Sequence, residues 1–496
     1  MNSKTIIFTI SILLSINVFS QFSTMFNDTL KPFGDGGYVF TGIAQDDSFY
    51  YALGGVNNNE PLWNNMIIKY DKDFNIVNKR KYIDTNWYNA IYPYNSITVN
   101  KNQLLFCTQM SKNQMSIIYG KIVALNKQTL DTLWTRVIAH PDTAYVNLPN
   151  AIVFSDLTAI KQTPDNGYIL TGNYNLQCTG ANKRSFLLKI DSIGNVEWRK
   201  TYANISYLYD IELTPNGGYI FLNKDWGPIV IETDSLGNIL WQKKINTLTV
   251  HATASDFSYA GNNSFVGAVK YLKTNSNSEF GLNIFKINLS NKTIMWQKKY
   301  NLYQTVECLG LHQAIGVETL SDGSIIVNGT VEKYGADKIG FILKLNSDGD
   351  SLWTKTYNFS TYNTGIHQLN DILICDDGGF LGVGFYKPPN GLVAWIFKTD
   401  SNGVVGWESS PPLNSKKIKA WPNPASEFVN IEIKERLKRD GDIIIYNSLG
   451  MKVKKVSVIS GKTNYKIQVD DLETGVYFYE IIGDEKIIGN GKFIKL

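Results

Sequence analysis

Few residues in this chain have the type and spacing that chemistry requires. The four histidines, His140, His251, His312 and His367, are scattered singly. No H-E-x-x-H, no G-x-S-x-G and no Gly-rich phosphate loop is written in the sequence, so no metal, nucleophile or phosphate site is legible. Cys107, Cys178, Cys308 and Cys375 form no C-x-x-C pair, which removes a zinc knuckle or a redox motif. Two disulfides remain open, but the spacing identifies none; Cys107 and Cys375 lie in apolar runs and are expected as buried free thiols. Arg80, Arg136, Arg184 and Arg199 are the only arginines between residues 21 and 408, too dispersed to clamp a carboxylate. What does gather is aromatic. Trp87, Tyr88, Tyr145, Tyr207, Trp226, Tyr303 and Tyr362 fall in the stretches between repeated segments, where the histidines also fall. Aromatic side chains on a concave face suit a sugar or a peptide, and these seven are the candidate ligand-binding residues. No catalytic residue, metal ligand or cofactor is assigned.

The elements that must position these loops come from self-similarity. FLLKIDSIGNVEWRKTY (186–202) returns as PIVIETDSLGNILWQKKI (228–245), LNIFKINLSNKTIMWQKKY (282–300), GFILKLNSDGDSLWTKTY (340–357) and AWIFKTDSNGVVGW (394–407). Looser copies are YGKIVALNKQTLDTLWTRV (119–137) and NMIIKYDKDFNIVNKRKY (65–82). Anchored on Asn78, Trp134, Trp198, Trp241, Trp296, Trp353 and Trp407, seven units emerge, 43 to 64 residues apart. Alternating apolar residues run into Asp-Ser-x-Gly-Asn and alternate again to the Trp, which reads as a hairpin. Upstream lies a second hairpin with its own Gly turn, as in DNGYILTG (165–172) and NGGYIFLN (216–223). No unit has a helical period. Four short antiparallel strands per unit, repeated, make β-propeller blades, with the Trp as a core residue between adjacent sheets. The expectation is an all-β chain: a seven-bladed β-propeller over 21–408, a linker at 409–414, and a small β-sandwich over 415–496.

In the last unit Trp407 is followed at once by Glu-Ser-Ser-Pro-Pro, and proline cannot donate to a central ladder. FSTMFN (22–27) aligns with the fourth-strand segment WTKTYN (353–358). Residues 22–27 are therefore expected to supply the missing strand of the seventh blade and so remove an exposed edge.

Composition narrows the setting. Charged residues make up 19% and aromatics 13%, which excludes a disordered chain. Residues 21–414 carry a net charge of −1 and residues 415–496 one of +4, so the large body lacks the basic face that nucleic acid demands. Lys4, the apolar run Ile6–Phe19 and the small Ser20 have the layout of a secretory signal peptide over residues 1–20, and the mature protein is expected to have no membrane span.

Two resemblances add to this reading. ALNKQTLDTLW (124–134) resembles the tryptophan-docking motif of quinoprotein dehydrogenase propellers and of outer-membrane assembly propellers with the same blade. The Asp-x-x-Gly turns are similar, at a different spacing, to the Asp-box of sialidases. Both likenesses concern scaffolding; the vicinal cysteine pair of the quinoproteins is missing. KIKAWPNPASEFVNIEI, DIIIYNSLGMKVKKV, VDDLETGVYFYEI and GKFIKL, in that order across 415–496, resemble the type A C-terminal sorting domain of type IX secretion substrates. The matching motif residues are Pro422, Asn423, Pro424, Gly475, Tyr477 and Lys495. The resemblance implies type IX machinery as partner and a secreted or outer-membrane surface location reached through the periplasm. The functional expectation is an exported binding or adhesion protein with a glycan or protein ligand. The other reading is an extracellular enzyme degrading polysaccharide or peptide on the same scaffold.

Overall fold

Residues that alternate apolar and polar within each repeat build strands, and every regular element among the described residues is a strand. The computed structural model describes residues 26–496 apart from 58–62, 85–86, 91–95, 113–116, 140–152, 177–183, 224–227, 246–252, 274–278, 301–307, 334–337, 359–364, 389–390, 406–415, 418–419, 434–439, 448–451, 484–485 and positions 204, 206 and 209. The expected signal peptide lies outside the described residues.

Successive strands pair into four-stranded antiparallel units. The first comprises Gly37–Gln45, Phe49–Asn57, Asn64–Asp71 and Ile76–Tyr82. The third comprises Val153–Gln162, Tyr168–Leu176, Arg184–Ile190 and Val196–Ala203. In the second unit Ile97–Val99 begins the sheet, with Tyr88–Ala90 alongside, both against Gln103–Lys112, followed by Ile117–Asn126 and Thr132–Ile138. The fourth, fifth and sixth units start at Glu212, Thr253 and Cys308 and repeat the same order.

Neighbouring units are glued face to face. One buried cluster joins Tyr51 and Leu53 of the first unit to Phe106 and Leu125 of the second. Further clusters join second to third, third to fourth, and so on to the sixth and seventh. A last cluster joins Leu381 and Ile396 of the seventh unit back to Tyr38 and Phe40 of the first. Because both faces of a sheet meet a neighbour, the third strands are buried throughout: Arg184–Ile190 is covered from Ser185 onward. The fourth strands lie outermost and alternate, as Thr132–Ile138 does. The body is propeller-like.

The seventh unit is completed from the other end of the chain. Ile366–Ile374, Phe380–Lys387 and Val393–Lys398 are followed in the sheet by Phe26–Leu30, with Phe26 opposite Lys398 and Leu30 opposite Ala394. The closing strand therefore lies four residues further on than the segment 22–27 expected from sequence. Phe26 and Asn27 are shared by both, and the register is set by the ladder to Val393–Lys398 rather than by likeness to another fourth strand.

Two sheets make the C-terminal unit. One orders Lys416–Lys417, Lys486–Lys495, Gly475–Gly483, Gly441–Tyr446 and Lys452–Val458; the other orders Ala420–Trp421, Phe428–Glu432 and Asn464–Gln468. Val429, Ile431, Ile443, Ile445, Tyr479 and Phe493 fill the space between them, so this sandwich has its own core.

Candidate functional site

Three of the aromatic residues singled out from sequence, Trp87, Tyr88 and Tyr207, lie among the described residues. Trp87 precedes the first strands of the second unit, and its ring meets that of Tyr119 at 5.8 Å, tilted by 54°. Tyr88 lies in Tyr88–Ala90. Tyr207 is half-buried in the connection to the fourth unit, in a left-handed backbone conformation with φ of 54°. Tyr145, Trp226, Tyr303 and Tyr362 lie outside the described residues. The structure thus joins Trp87 to Tyr119, a partner that sequence reasoning missed because it sits on a strand of the next unit.

A cavity of about 300 Å³ lies between the first and second units. Its walls include Asn65, Arg80, Lys81, Tyr82 and Asp84 from the first unit and its exit, and Asn89, Lys121, Thr132 and Thr135 from the second. Alternation along the strand puts Lys121 on the same sheet face as Tyr119. The Lys121 ammonium stands 3.9 Å from the Asp84 carboxylate, and Arg80 is committed to Asp131. Asn89 is 2% exposed; its Nδ2 donates to the Trp87 carbonyl at 3.1 Å, while its Oδ1 has no donor among the described residues. No local spacing announces this group, because packing between units assembles it.

A second polar arrangement lies on the first strands. The ladder shifts register at Phe40/Gly42, Leu157/Ala159, Ala254/Asp256 and Leu369/Asp371, the sign of a bulge that re-aims a side chain. The buried Asp156 and Asp256 and the part-buried Asp371 sit at or beside three of these shifts, the buried Asp210 holds the matching sequence position in the fourth unit, and three of these carboxyls tie one unit to the next. Asp371 Oδ2 accepts the Ile43 amide at 3.0 Å, Asp210 Oδ2 accepts that of Phe257 at 3.0 Å, and Asp256 Oδ2 accepts that of Val317 at 2.9 Å. Burial pushes the Asp371 carboxyl up to about 8, and burial pushes Asp156 up to about 6. Asp256 is also raised, by burial and then by the adjacent Asp210. Sequence could have revealed these residues, since SDLTAI (155–160), YDIELT (209–214), SDFSYA (255–260) and NDILIC (370–375) repeat an Asp before an apolar residue.

The histidine expectation needs correction. His312 and His367 lie in the first strands Cys308–Thr319 and Ile366–Ile374, not in connections, and His367 is buried with its ring stacked 4.5 Å from Tyr386. His140 and His251 lie outside the described residues. Cys107 and Cys375 are free and buried, and burial pushes their thiols up to about 12 and 11. Among the described residues no three His, Cys, Asp or Glu side chains group as a metal site.

In the C-terminal sandwich the motif residues meet along the final strand. Asn423 Oδ1 accepts the Ile494 amide at 2.8 Å, and Ala425 donates its amide to the Ile494 carbonyl at 2.7 Å. Pro422 and Pro424 bracket that asparagine through cis bonds. Gly475 pairs with Lys495 at the start of the neighbouring strand, and the buried Tyr477 ring stacks on Phe493 at 5.5 Å. A family model described as a secretion system C-terminal sorting domain matches residues 419–495. This unit is a sorting domain. It directs export, so the protein is delivered to the cell surface or secreted and meets the type IX secretion machinery on the way.

Relatives say less about the body. Beta-agarase A of Zobellia galactanivorans is 36% identical over 96 residues, covering 18% of this chain and 17% of that protein. Among solved structures, a protein of unknown function from Bacteroides caccae covers 65% of this chain and 94% of its own, at 14% identity and a TM-score of 0.37. The Penicillium chrysogenum alpha-L-arabinanase covers 76% and 96%, at 11% identity and a TM-score of 0.39.

Proposed function

We propose that residues 21–408 form one closed ring of seven blades and act outside the cell as a binding module, through the face that bears the connections between blades. The unbroken series of buried clusters from unit to unit, first to last included, supports the ring. The observation that carries the binding reading is the Trp87–Tyr119 ring pair, formed where the connection from the first unit enters the second. A half-exposed aromatic pair offers a flat apolar platform of the kind recognition sites use. The ligand is a glycan or a protein segment. A screen of glycan and peptide ligands against the purified full chain tests this, with Trp87→Ala as the variant. Truncating an aromatic contact at a binding hot spot costs about 2 kcal/mol or more, so affinity is expected to fall roughly thirtyfold while the melting temperature holds. Turnover of a polysaccharide or peptide by the purified chain, or affinity unmoved by the substitution, overturns the binding reading.

A further inference from the structure

We propose that Asp210 and Asp256, whose carboxyl groups meet between the fourth and fifth units, hold one proton between them and form a latch that opens as pH rises, releasing the first strand of the fifth unit from its neighbours on both sides.

The geometry brings two acids to one donor. The Phe257 amide donates to Asp210 Oδ2 at 3.0 Å and to Asp256 Oδ1 at 2.9 Å, so both carboxyls converge on a single N–H. Asp210 is 2% and Asp256 7% exposed, and the two side chains are hydrogen-bonded to each other. An ionised carboxylate only accepts, so a hydrogen bond between two carboxyls requires a proton on one of them. Two carboxylates in one buried site resist ionising together, which keeps that proton in place. Burial first, and the Asp210 charge second, hold Asp256 well above the usual carboxylate range.

Neighbouring elements reinforce the pair. Glu318, on the first strand of the sixth unit, adds a further negative charge that acts on Asp256, and His312 lies earlier on the same strand. Lys161, from the third unit, acts on Glu318 but is paired with Glu212 of the fourth. The strand Ser264–Lys273 brings Ala268 opposite Asp256, and its charged residues, Lys270 and Lys273, lie further along, with Lys270 opposite Thr253. No cation is therefore hydrogen-bonded to either carboxyl among the described residues, and the proton takes that part.

The latch joins three units. Asp210 stands at the entry to the fourth, Phe257 and Asp256 belong to the fifth, and Asp256 Oδ2 accepts the Val317 amide of the sixth at 2.9 Å. The register shift between Ala254 and Asp256 turns this carboxyl toward the seam. Asp210 also closes the connection on which Tyr207 lies. At Leu208 that connection is held from the third unit, with its amide donating to Asn173 Oδ1 at 2.9 Å and its carbonyl accepting from Thr158 Oγ1 at 2.7 Å. Loss of the proton replaces a hydrogen bond with two like charges in a buried site, so the seam opens there first.

Hydrogen exchange of the full chain, read by mass spectrometry on fragments holding Phe257 and Val317, tests the latch. Protection, corrected for the intrinsic pH dependence of exchange, is expected to fall from about pH 5 upward, by up to about tenfold per pH unit, since one unit of pKa difference between closed and open forms is a factor of ten. Asp256→Asn and Asp210→Asn each supply the bridging hydrogen permanently, so either is expected to flatten the slope at both amides. The slope at Ile43, whose amide donates to Asp371, should stay as in the parent. A flat parent profile, or a slope at Phe257 and Val317 that survives in the variants, overturns the proposal. A slope that vanishes at Ile43 as well shows pH acting on the whole body, and the local latch falls. Where only one variant folds, that one decides. Where neither folds, the parent decides: Phe257 and Val317 are expected to lose protection with one shared midpoint, and separate midpoints overturn the latch.

Discussion

At the scale of single residues, the repeated Trp acts differently from the core residue expected. Trp134, Trp198, Trp241, Trp296 and Trp353 are half-buried, each packed on the cluster between its own unit and the next. A Cβ on Gly194 would stand 2.6 Å from the Trp134 ring, and Gly194 has φ of +84°, so the tryptophan covers the turn of the following unit. That turn is held by Asp191, whose Oδ1 accepts the amides of Ile193 at 3.0 Å and Asn195 at 2.8 Å. The motif Asp-Ser-x-Gly-Asn is thus a receptor for the previous unit's Trp. Trp134→Ala is expected to cost about 2 kcal/mol, below the 3–5 kcal/mol of a fully buried aromatic. Gly194→Ala is expected to be costly alone but to cost only about 1 kcal/mol, the left-handed penalty, once Trp134 is gone. A double-mutant cycle by denaturant unfolding checks this, and strict additivity refutes it.

Buried acids give a second residue-scale prediction. The Asp371 carboxyl sits at about 8 in the fold, against roughly 3.9 in an unfolded chain. Between those values the folded chain holds a proton that the unfolded chain releases. The contribution is whole below about pH 4 and is lost as pH rises through 8. Asp156, at about 6, and Asp256, also raised, act with the same sign. Stability of the body is therefore expected to decline from pH 5 to pH 8. Asp371→Asn keeps an acceptor for the Ile43 amide but cannot titrate, so its melting temperature should fall less over that interval. Parallel curves for parent and variant rule the idea out.

At the scale of elements, the strand Phe26–Leu30 carries the closing contact, because without it Val393–Lys398 becomes an open edge. Deleting residues 21–30 is expected to lower the melting temperature and to promote aggregation through that edge; an unchanged melting curve refutes the closing role. The hairpins were legible from sequence because their signals are local: alternation, then Asp and Gly at fixed positions in the turn, as in Asp234-Ser235-Leu236-Gly237-Asn238. The closing strand was legible only as a need. Its register depends on a partner some 370 residues away, and a six-residue likeness could not place it better than within four residues. Aromatics such as Trp87 could be assigned to a connection by spacing. Asn65, Asn89 and Lys121 could not be assigned to one cavity, since they come from three strands of two units and only inter-unit packing unites them.

At the scale of the whole molecule, body and sorting domain have separate cores. The cluster of Val429, Ile443, Tyr479 and Phe493 contains no residue of the body, and the clusters between units contain none from beyond residue 415. Independent cores unfold independently unless an interface couples them. The full chain is therefore expected to show two calorimetric transitions, and a chain ending at residue 414 to keep the body's transition unshifted. The same truncation removes the motif residues that meet on the final strand, Asn423 and Lys495 included, and with them the export signal. In a bacterium with a type IX system the truncated chain should accumulate, folded, in the periplasm. Stability and delivery are thus predicted to separate at one cut. A single merged transition, or normal amounts of truncated protein in the medium, overturns the division of labour between the two parts.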